Sequence, residues 1–172
     1  EFERYLTNVR DCAKSNGLEI YQLHGAWPHV DDLTAEGREA TIEYFKKNRI
    51  GALIVIEREI SLQEYIKNST KVYADLTDDL LETIFFPNSP MHDGGVIIQG
   101  DRITCAGTVF KTSMSPNISK RLGTRHRAAL GIAEESDAIA LVISEENGRI
   151  SIACNNELNY NLHHNLYIYN IH

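Results

Sequence analysis

The sequence predicts an α/β fold: a mixed central β-sheet flanked by helices on both faces, with an N-terminal helical extension. Two short runs of β-branched and aliphatic residues, at residues 52–56 and 138–143, are typical of strands buried on both faces. Helical spacing of apolar residues appears between and before them, most clearly at residues 124–135. The elements do not alternate regularly between strand and helix, so the sheet is expected to be mixed rather than all-parallel.

The first part of the chain is expected to be helical. Apolar residues recur with helical spacing over residues 2–16. Residues 18–32 show no such pattern and predict a linker or a packed arm. Thr34 is placed to cap a second helix that runs to about Asn48.

The later elements follow from turn residues and short apolar runs. Asn147-Gly148 is the strongest short hairpin signal in the chain. The other predicted elements are, in order, a brief helix at residues 61–65, a helix at 76–86 capped near Thr77, a strand at 96–98, a tight turn at 99–102, a returning strand at 103–110 and a strand at 150–153. The Asn-rich tail after Asn155 has no readable periodicity.

Composition narrows the possible partners and the compartment. The chain has 172 residues, is 42% hydrophobic and carries a formal net charge of −7, which disfavours broad binding to nucleic acid or to an acidic membrane. The three cysteines are odd in number and have no short spacing, so we expect reduced thiols. No apolar stretch approaches a membrane span and no signal peptide is visible. We expect a cytoplasmic domain, with membrane attachment only through an anchor that precedes this segment.

The first candidate site is the run His92-Asp93-Gly94-Gly95, which follows a proline-bounded turn and precedes a strand. An aspartate there can bind a divalent cation or accept a proton from a hydroxyl, and a neighbouring imidazole can be a second ligand. The glycines allow a ligand to approach the backbone. The alternative is an ordinary Asp-Gly turn. A His-Asp phosphohydrolase is disfavoured, because that class places the pair on a helix in an all-helical fold.

The second candidate site is Gly123-Thr124-Arg125-His126-Arg127, at the start of the predicted helix. Free backbone N–H groups and the helix dipole favour a phosphate there, and two arginines can donate to its oxygens. All three basic side chains are expected to reach outward from the first turn. The alternative is a capped amphipathic helix with a solvated basic turn, although cations at a helix N-terminus oppose the dipole.

The third candidate site is Ser144-Glu145-Glu146, which follows the buried strand at 138–143. The ends of strands in α/β proteins often carry functional side chains. One of these carboxylates could complete a metal site with His92 or Asp93. The alternative is that they are ordinary acidic residues of a hairpin turn.

Several motifs in a fixed order resemble the diadenylate cyclase domain family, over residues 34–158. The matching runs begin at Gly51 (Gly-Ala-Leu-Ile-Val-Ile-Glu-Arg-Glu), Phe86 (Phe-Pro-Asn-Ser-Pro), Pro90 (Pro-Met-His-Asp-Gly-Gly-Val-Ile-Ile), Ser115 (Ser-Pro-Asn-Ile-Ser-Lys), Gly123 (Gly-Thr-Arg-His-Arg-Ala-Ala) and Ser144 (Ser-Glu-Glu). The resemblance implies a catalytic domain at residues 34–160, with an N-terminal helix and linker at 1–33 and a C-terminal tail at 161–172.

The resemblance implies a nucleotidyltransferase that condenses two ATP molecules into cyclic di-AMP and releases pyrophosphate. The catalytic residues would be Asp93, Gly94, Arg125, His126 and Arg127. ATP would be bound by Gly95, Phe110, Gly123, Thr124, Arg125, Arg127, Ser144 and Glu145. A divalent metal, Mn²⁺ or Mg²⁺, would be bound by His92, Asp93 and Glu146. The family has alanine at the position of Gly95, and the missing methyl group is expected to loosen the turn without blocking the site.

The implied reaction requires self-association, because each active site would hold one ATP and two sites must meet face to face. A dimer or higher homo-oligomer is therefore expected, with no nucleic acid partner. The N-terminal helix fits either membrane-anchored relatives or a soluble, sporulation-type group. Two other functions stay open: a nucleotide-binding regulatory domain with little turnover, and a metal-dependent phosphoesterase that uses His92, Asp93 and Glu146.

Overall fold

The computed structural model describes residues 44–45, 47–116 and 122–162. The predicted helix at 2–16, the segment at 18–32, most of the helix at 34–48 and the tail after residue 162 lie outside the described residues. Tyr44, Phe45 and Lys47 are helical and belong to the end of the predicted second helix.

The described residues form one seven-stranded sheet with the order β2-β4-β3-β1-β5-β6-β7. Strands β1 and β3 are parallel, and every other neighbouring pair is antiparallel. The predicted mixed sheet is confirmed. The strands are β1 (Ala52–Ile56), β2 (Thr70–Asp75), β3 (Gly95–Gln99), β4 (Arg102–Thr108), β5 (Ile139–Ile143), β6 (Ile150–Cys154) and β7 (Glu157–Leu162).

Helices cover both faces of this sheet, as predicted. The described helices are α1 (Gln63–Lys67), α2 (Asp78–Phe85) and α3 (Thr124–Glu135). Helix α2 packs with Phe45 against one face, where Leu81 and Ile84 are buried. Helices α1 and α3 pack against the other face through Ile66 and Ile132. No helix in the described part of the chain is long and apolar enough to cross a membrane.

Most predicted elements are confirmed with small shifts of their ends. Strand β1 and helix α3 have the predicted bounds, and β5 and β6 form the hairpin that Asn147-Gly148 indicated. The N-cap of α2 is Thr77, whose side chain accepts a hydrogen bond from the Leu80 N–H. Strand β4 ends at Thr108, before the predicted end at Phe110.

Two strands were missed by the sequence-based prediction. Strand β2 lies at one edge of the sheet, and its residues are exposed or half-buried without an apolar run. It is also irregular, because the register shifts between Lys71 and Ala74 and Tyr73 has a positive φ of 50°. Strand β7 is polar and Asn-rich and pairs only with β6 at the opposite edge. Edge strands expose one side to water, so apolar periodicity does not reveal them.

The two described cysteines differ in state. Cys105 in β4 is buried and free, whereas Cys154 at the end of β6 is disulfide-bonded. The prediction that every thiol is reduced is therefore wrong for Cys154.

Candidate functional site

A cleft of about 590 Å³ opens at the ends of the central strands, where β1 and β3 begin and where β4 and β5 end. Its walls come from the turn before β3, the segment after β4, the first turn of α3 and the β5–β6 hairpin. The predicted site residues that line it are His92, Asp93, Gly94, Phe110, Gly123, Thr124, Arg125, His126, Ser144, Glu145 and Glu146. The three candidate segments thus share one cleft, and of their predicted residues only Gly95 and Arg127 lie outside its lining.

The Asp93-Gly94 segment is a tight turn that also presents a carboxylate to the cleft. Gly94 has a φ of +102°, and a Cβ atom there would lie 2.6 Å from the Thr108 carbonyl oxygen. Only glycine fits both conditions. The turn therefore holds Asp93 at the cleft with its side chain exposed to solvent. The turn and the functional interpretation are compatible.

His92 is oriented by the turn that precedes it. Its Nδ1 lies 2.6 Å from the Ser89 carbonyl oxygen. A carbonyl only accepts hydrogen bonds, so Nδ1 carries the proton and donates it to Ser89. This leaves Nε2 with its lone pair when the ring is neutral, which is the form that binds metals.

The N-terminus of α3 faces the cleft with the features expected of an anion site. Gly123 is the N-cap, and within the described part of the chain no side chain caps this helix and no acidic residue lies in its first turn. The first backbone N–H groups of the helix therefore stay available to a ligand. The cleft is lined there by Gly123, Thr124 and Arg125.

Arg125 links the three candidate segments. Its Nη1 donates to Glu145 Oε2 at 2.7 Å, and its Nη2 donates to the His92 carbonyl oxygen at 3.3 Å. Its Nε is buried and has no hydrogen-bond partner among the described residues. The guanidinium packs on Gly51, where a Cβ atom would lie 2.5 Å from Nη1. A residue with a side chain at position 51 would displace the Arg125 guanidinium. Gly51 was not among the predicted site residues.

The side chains of Arg125, His126 and Arg127 do not all reach outward together from the first turn of α3, as had been expected. Successive helix residues are separated by 100°, so Arg125 and Arg127 point to nearly opposite sides of α3. His126 lines the cleft but is only 7% exposed, and its Nε2 lies 3.1 Å from the Ser151 hydroxyl oxygen. Burial lowers the pKa of His126, and the nearby Glu146 carboxylate opposes this shift more weakly. His126 is thus a neutral residue that connects α3 to β6.

The lowered pKa of His126 predicts a loss of stability in mild acid. Below the ordinary pKa of 6.5 the unfolded chain binds a proton that the folded chain does not, so folding free energy is lost as the pH falls. The His126 contribution should fall by at most about 1.4 kcal/mol per pH unit. Urea unfolding of the nucleotide-free protein from about pH 7.5 to about pH 5.5 measures it. His126→Gln should flatten this part of the slope, and an unchanged slope would contradict the assignment.

The cleft also has an apolar wall. Leu53, Phe110 and Val142 line it and are buried, and Val109, which lines it too, is 83% exposed. Gly95 lies directly behind this wall, because a Cβ atom there would be 2.9 Å from Phe110 Cε2. The space of the missing methyl group is therefore filled by neighbouring atoms.

Four polar residues of the cleft lining were not predicted as site residues: Thr108, Asn147, Arg149 and Ser151. Arg149 follows the Asn147-Gly148 turn and could have been suspected as a cation beside an acidic hairpin. Ser151 interrupts the apolar run of β6 and is 1% exposed. A buried hydroxyl in such a strand requires a hydrogen-bond partner, which is His126.

The metal-ligand candidates share the cleft without forming a closed protein site. His92, Asp93 and Glu146 all line it, but no group of three or more His, Cys, Asp or Glu side chains among the described residues is positioned to hold a metal ion. Mg²⁺-type sites are commonly built from one or two carboxylates completed by phosphate oxygens and water. The donors fit an ion of that kind, bound together with a phosphate ligand.

Comparison with known proteins agrees with this arrangement. Residues 39–158 match the DAC family, described as the DisA bacterial checkpoint controller nucleotide-binding domain. The chain belongs to the DAC family. The match includes every cleft segment described above, so the cleft is a feature of the DAC domain.

Curated relatives carry diadenylate cyclase names. The DAC chain is 44% identical to cyclic di-AMP synthase CdaA of Bacillus subtilis over 75% of its own length and 47% of that protein. It is 47% identical to a diadenylate cyclase of Listeria monocytogenes, over 72% of this chain and 45% of that protein. It is 44% identical to diadenylate cyclase CdaS of Bacillus thuringiensis, over 90% of this chain and 74% of that protein. The chain thus spans a little under half the length of the first two relatives.

Solved structures share the fold. A double mutant of DacA from Staphylococcus aureus superposes with a TM-score of 0.71 at 44% identity, covering 74% of this DAC chain and 85% of that one. A hypothetical membrane spanning protein from Bacillus cereus superposes with a TM-score of 0.68 at 40% identity, covering 76% and 64%.

Proposed function

We propose that this DAC domain is a diadenylate cyclase, which condenses two ATP molecules into cyclic di-AMP and releases pyrophosphate. The observation that supports this most is the shared cleft. It combines an exposed aspartate, an uncapped helix N-terminus with Arg125, and an apolar wall. The names of the relatives, diadenylate cyclase and cyclic di-AMP synthase, support the same reaction.

The charge distribution suggests how one ATP is oriented. The triphosphate binds at the α3 N-terminus, where Thr124 and Arg125 add a hydroxyl and a guanidinium to the free backbone N–H groups. Arg125 is held by Glu145 in the free protein, so a phosphate competes with that carboxylate. The flat, weakly polar purine packs against the wall that contains Leu53 and Phe110. The cleft volume suits one ligand of this size.

A divalent cation, Mn²⁺ or Mg²⁺, would be held by Asp93 with His92 Nε2 and Glu146 as further ligands, and it would neutralise phosphate charge and acidify the ribose 3′-hydroxyl. Asp93 faces the cleft and is the candidate acceptor for the hydroxyl proton. The 3′-oxygen of each ATP forms a bond to the α-phosphorus of the other. The bond from that phosphorus to the β-phosphate bridging oxygen breaks, and pyrophosphate leaves with the electron pair.

The reaction requires two copies of the cleft facing each other, because each nucleotide is both nucleophile and electrophile. One cleft of about 590 Å³ holds one nucleotide, so self-association belongs to this proposal.

We place the activity in the cytoplasm. Membrane attachment would need an anchor outside this segment.

Pyrophosphate release combined with product chromatography tests the proposal. We expect ATP and Mn²⁺ or Mg²⁺ to yield cyclic di-AMP, with specific activity that rises with protein concentration until assembly is complete. ATP binding without pyrophosphate release, in a sample shown to be a dimer, would instead indicate a regulatory nucleotide-binding domain. Mononucleotide release from a phosphodiester, independent of protein concentration, would indicate a phosphoesterase.

A further inference from the structure

The Phe110 ring contacts two residues that are not part of the cleft lining. The first is Gly95, where a Cβ atom would lie 2.9 Å from Phe110 Cε2. The second is Tyr65, whose ring centroid is 5.1 Å from that of Phe110 with an interplanar angle of 41°. Phe110 is only 5% exposed, yet it lines the cleft. Its small accessible surface is therefore a wall whose position the two neighbours set.

Tyr65 is fixed in turn by α3. Its hydroxyl donates to Glu135 Oε2 at 2.7 Å, and the ammonium group of Lys111 pairs with the other oxygen of the same carboxylate. Lys111 directly follows Phe110, so the contacts form a closed loop through Phe110, Lys111, Glu135 and Tyr65. The pKa of Tyr65 is raised to about 12, first by burial and then by Glu135. The hydroxyl therefore stays protonated and keeps donating at neutral pH.

The backbone around Gly95 also leaves no room for an added methyl group. A Cβ atom at Gly95 would lie 2.8 Å from the Leu53 carbonyl oxygen as well as 2.9 Å from Leu53 Cγ. Leu53 belongs to β1, whose next residue, Ile54, is paired with Val96 of β3. Backbone in the middle of a sheet moves little, so a methyl group at Gly95 would press on the Phe110 ring.

We propose that Gly95 and Tyr65 are positioning residues which contact the Phe110 ring and so fix the base-side wall of the nucleotide cleft. This inference rests on the proposed function, in which the purine packs on that wall. Adding a methyl group at Gly95 pushes the ring, and removing the Tyr65 hydroxyl releases it. Both changes act on contacts of the Phe110 ring and alter no residue of the α3 N-terminus, where Gly123, Thr124 and Arg125 line the cleft.

The test compares two ligands that share the phosphate chain and differ in the base. Isothermal titration calorimetry gives the affinities of wild type, Gly95→Ala and Tyr65→Phe for ATP and for tripolyphosphate. We expect both variants to bind ATP about five- to tenfold more weakly, the worth of one hydrogen bond or of a modest packing defect. Their affinity for tripolyphosphate should stay within about twofold of wild type. Tyr44→Phe, which removes a tyrosine hydroxyl on the other face of the sheet, should change neither affinity.

Each outcome decides between the two proposals. If the variants bind ATP as wild type does, or lose both ligands equally, the positioning role is overturned while the proposed function stands. If wild type binds tripolyphosphate but not ATP, the proposed function is overturned, and this inference with it. If Gly95→Ala does not fold, Tyr65→Phe decides alone, because it removes one oxygen from a half-buried ring.

Discussion

Replacing Asp93 with asparagine should abolish cyclic di-AMP formation and leave the fold intact. The amide has nearly the same shape, but it carries no negative charge, so it neither attracts a divalent cation nor accepts the proton of the attacking hydroxyl. Loss of a positioned proton acceptor alone costs about 10²–10⁴ in rate. The Asp93 side chain is exposed, so its charge contributes little to the packing of the turn. Gly94 and the strand that follows are unchanged.

Product chromatography after incubation with ATP and Mn²⁺ measures this loss, and the thermal midpoint of the same sample measures the fold. Asp101→Asn is a matched control, because Asp101 is also exposed and lies in the β3–β4 turn outside the cleft lining. It should keep full activity. Substantial cyclic di-AMP from Asp93→Asn would exclude Asp93 from catalysis. A lowered midpoint in that variant alone would mean that the carboxylate supports the turn instead.

The parts of the site that the sequence predicted are those with a local chemical signal. Arg125 behind a helix-starting Gly-Thr is unusual, because a cation there opposes the helix dipole, whereas Asp93 before two glycines is also typical of an ordinary turn. The order of these motifs along the chain then indicated that they belong to one site. That they line one cleft follows from the sheet, because β3 begins beside the point where β5 ends, with β1 between them.

The residues that the sequence did not reveal act through partners distant in the chain. Gly51 matters because the Arg125 guanidinium occupies the space of its missing side chain. Ser151 matters because it meets His126 inside the protein. Nothing near Gly51 or Ser151 in the sequence states these contacts. Helical geometry, in contrast, could have predicted that Arg125 and Arg127 diverge.

The same distinction holds for the fold. Strand β1 is buried on almost its whole length, so its composition alone indicates a strand. Strand β2 is held at the edge of the sheet by its pairing with β4, and it contributes little apolar surface to the core. Its existence depends on backbone hydrogen bonds to a strand that follows 27 to 36 residues later in the sequence, from the pairing of Asp75 with Arg102 to that of Thr70 with Ala106.

Gly131→Ala should be the most destabilising of the single-methyl changes considered. Gly131 is buried in α3, and a Cβ atom there would lie 2.0 Å from the Lys111 carbonyl oxygen and 3.0 Å from the Ser113 backbone nitrogen. The loop cannot retreat freely, because the Ser113 N–H donates to the Arg127 carbonyl oxygen at 2.9 Å and the Ser113 hydroxyl donates to Glu134 at 2.7 Å. Alanine gains about 1 kcal/mol in helix propensity. The collision with backbone outweighs that gain, and we expect a net loss of about 3 kcal/mol.

Urea unfolding followed by circular dichroism measures this loss, and Gly123→Ala is the matched control on the same helix. A Cβ atom at Gly123 meets nothing within 4 Å, and replacing glycine by alanine at an N-cap costs about 1 kcal/mol or less. Equal losses at Gly131 and Gly123 would show that the loop at Lys111 yields without cost. The loop also follows Phe110 directly, so a folded Gly131→Ala protein should bind ATP more weakly while its affinity for tripolyphosphate stays close to that of wild type. That selectivity would connect the close packing of α3 on the loop to the wall of the cleft.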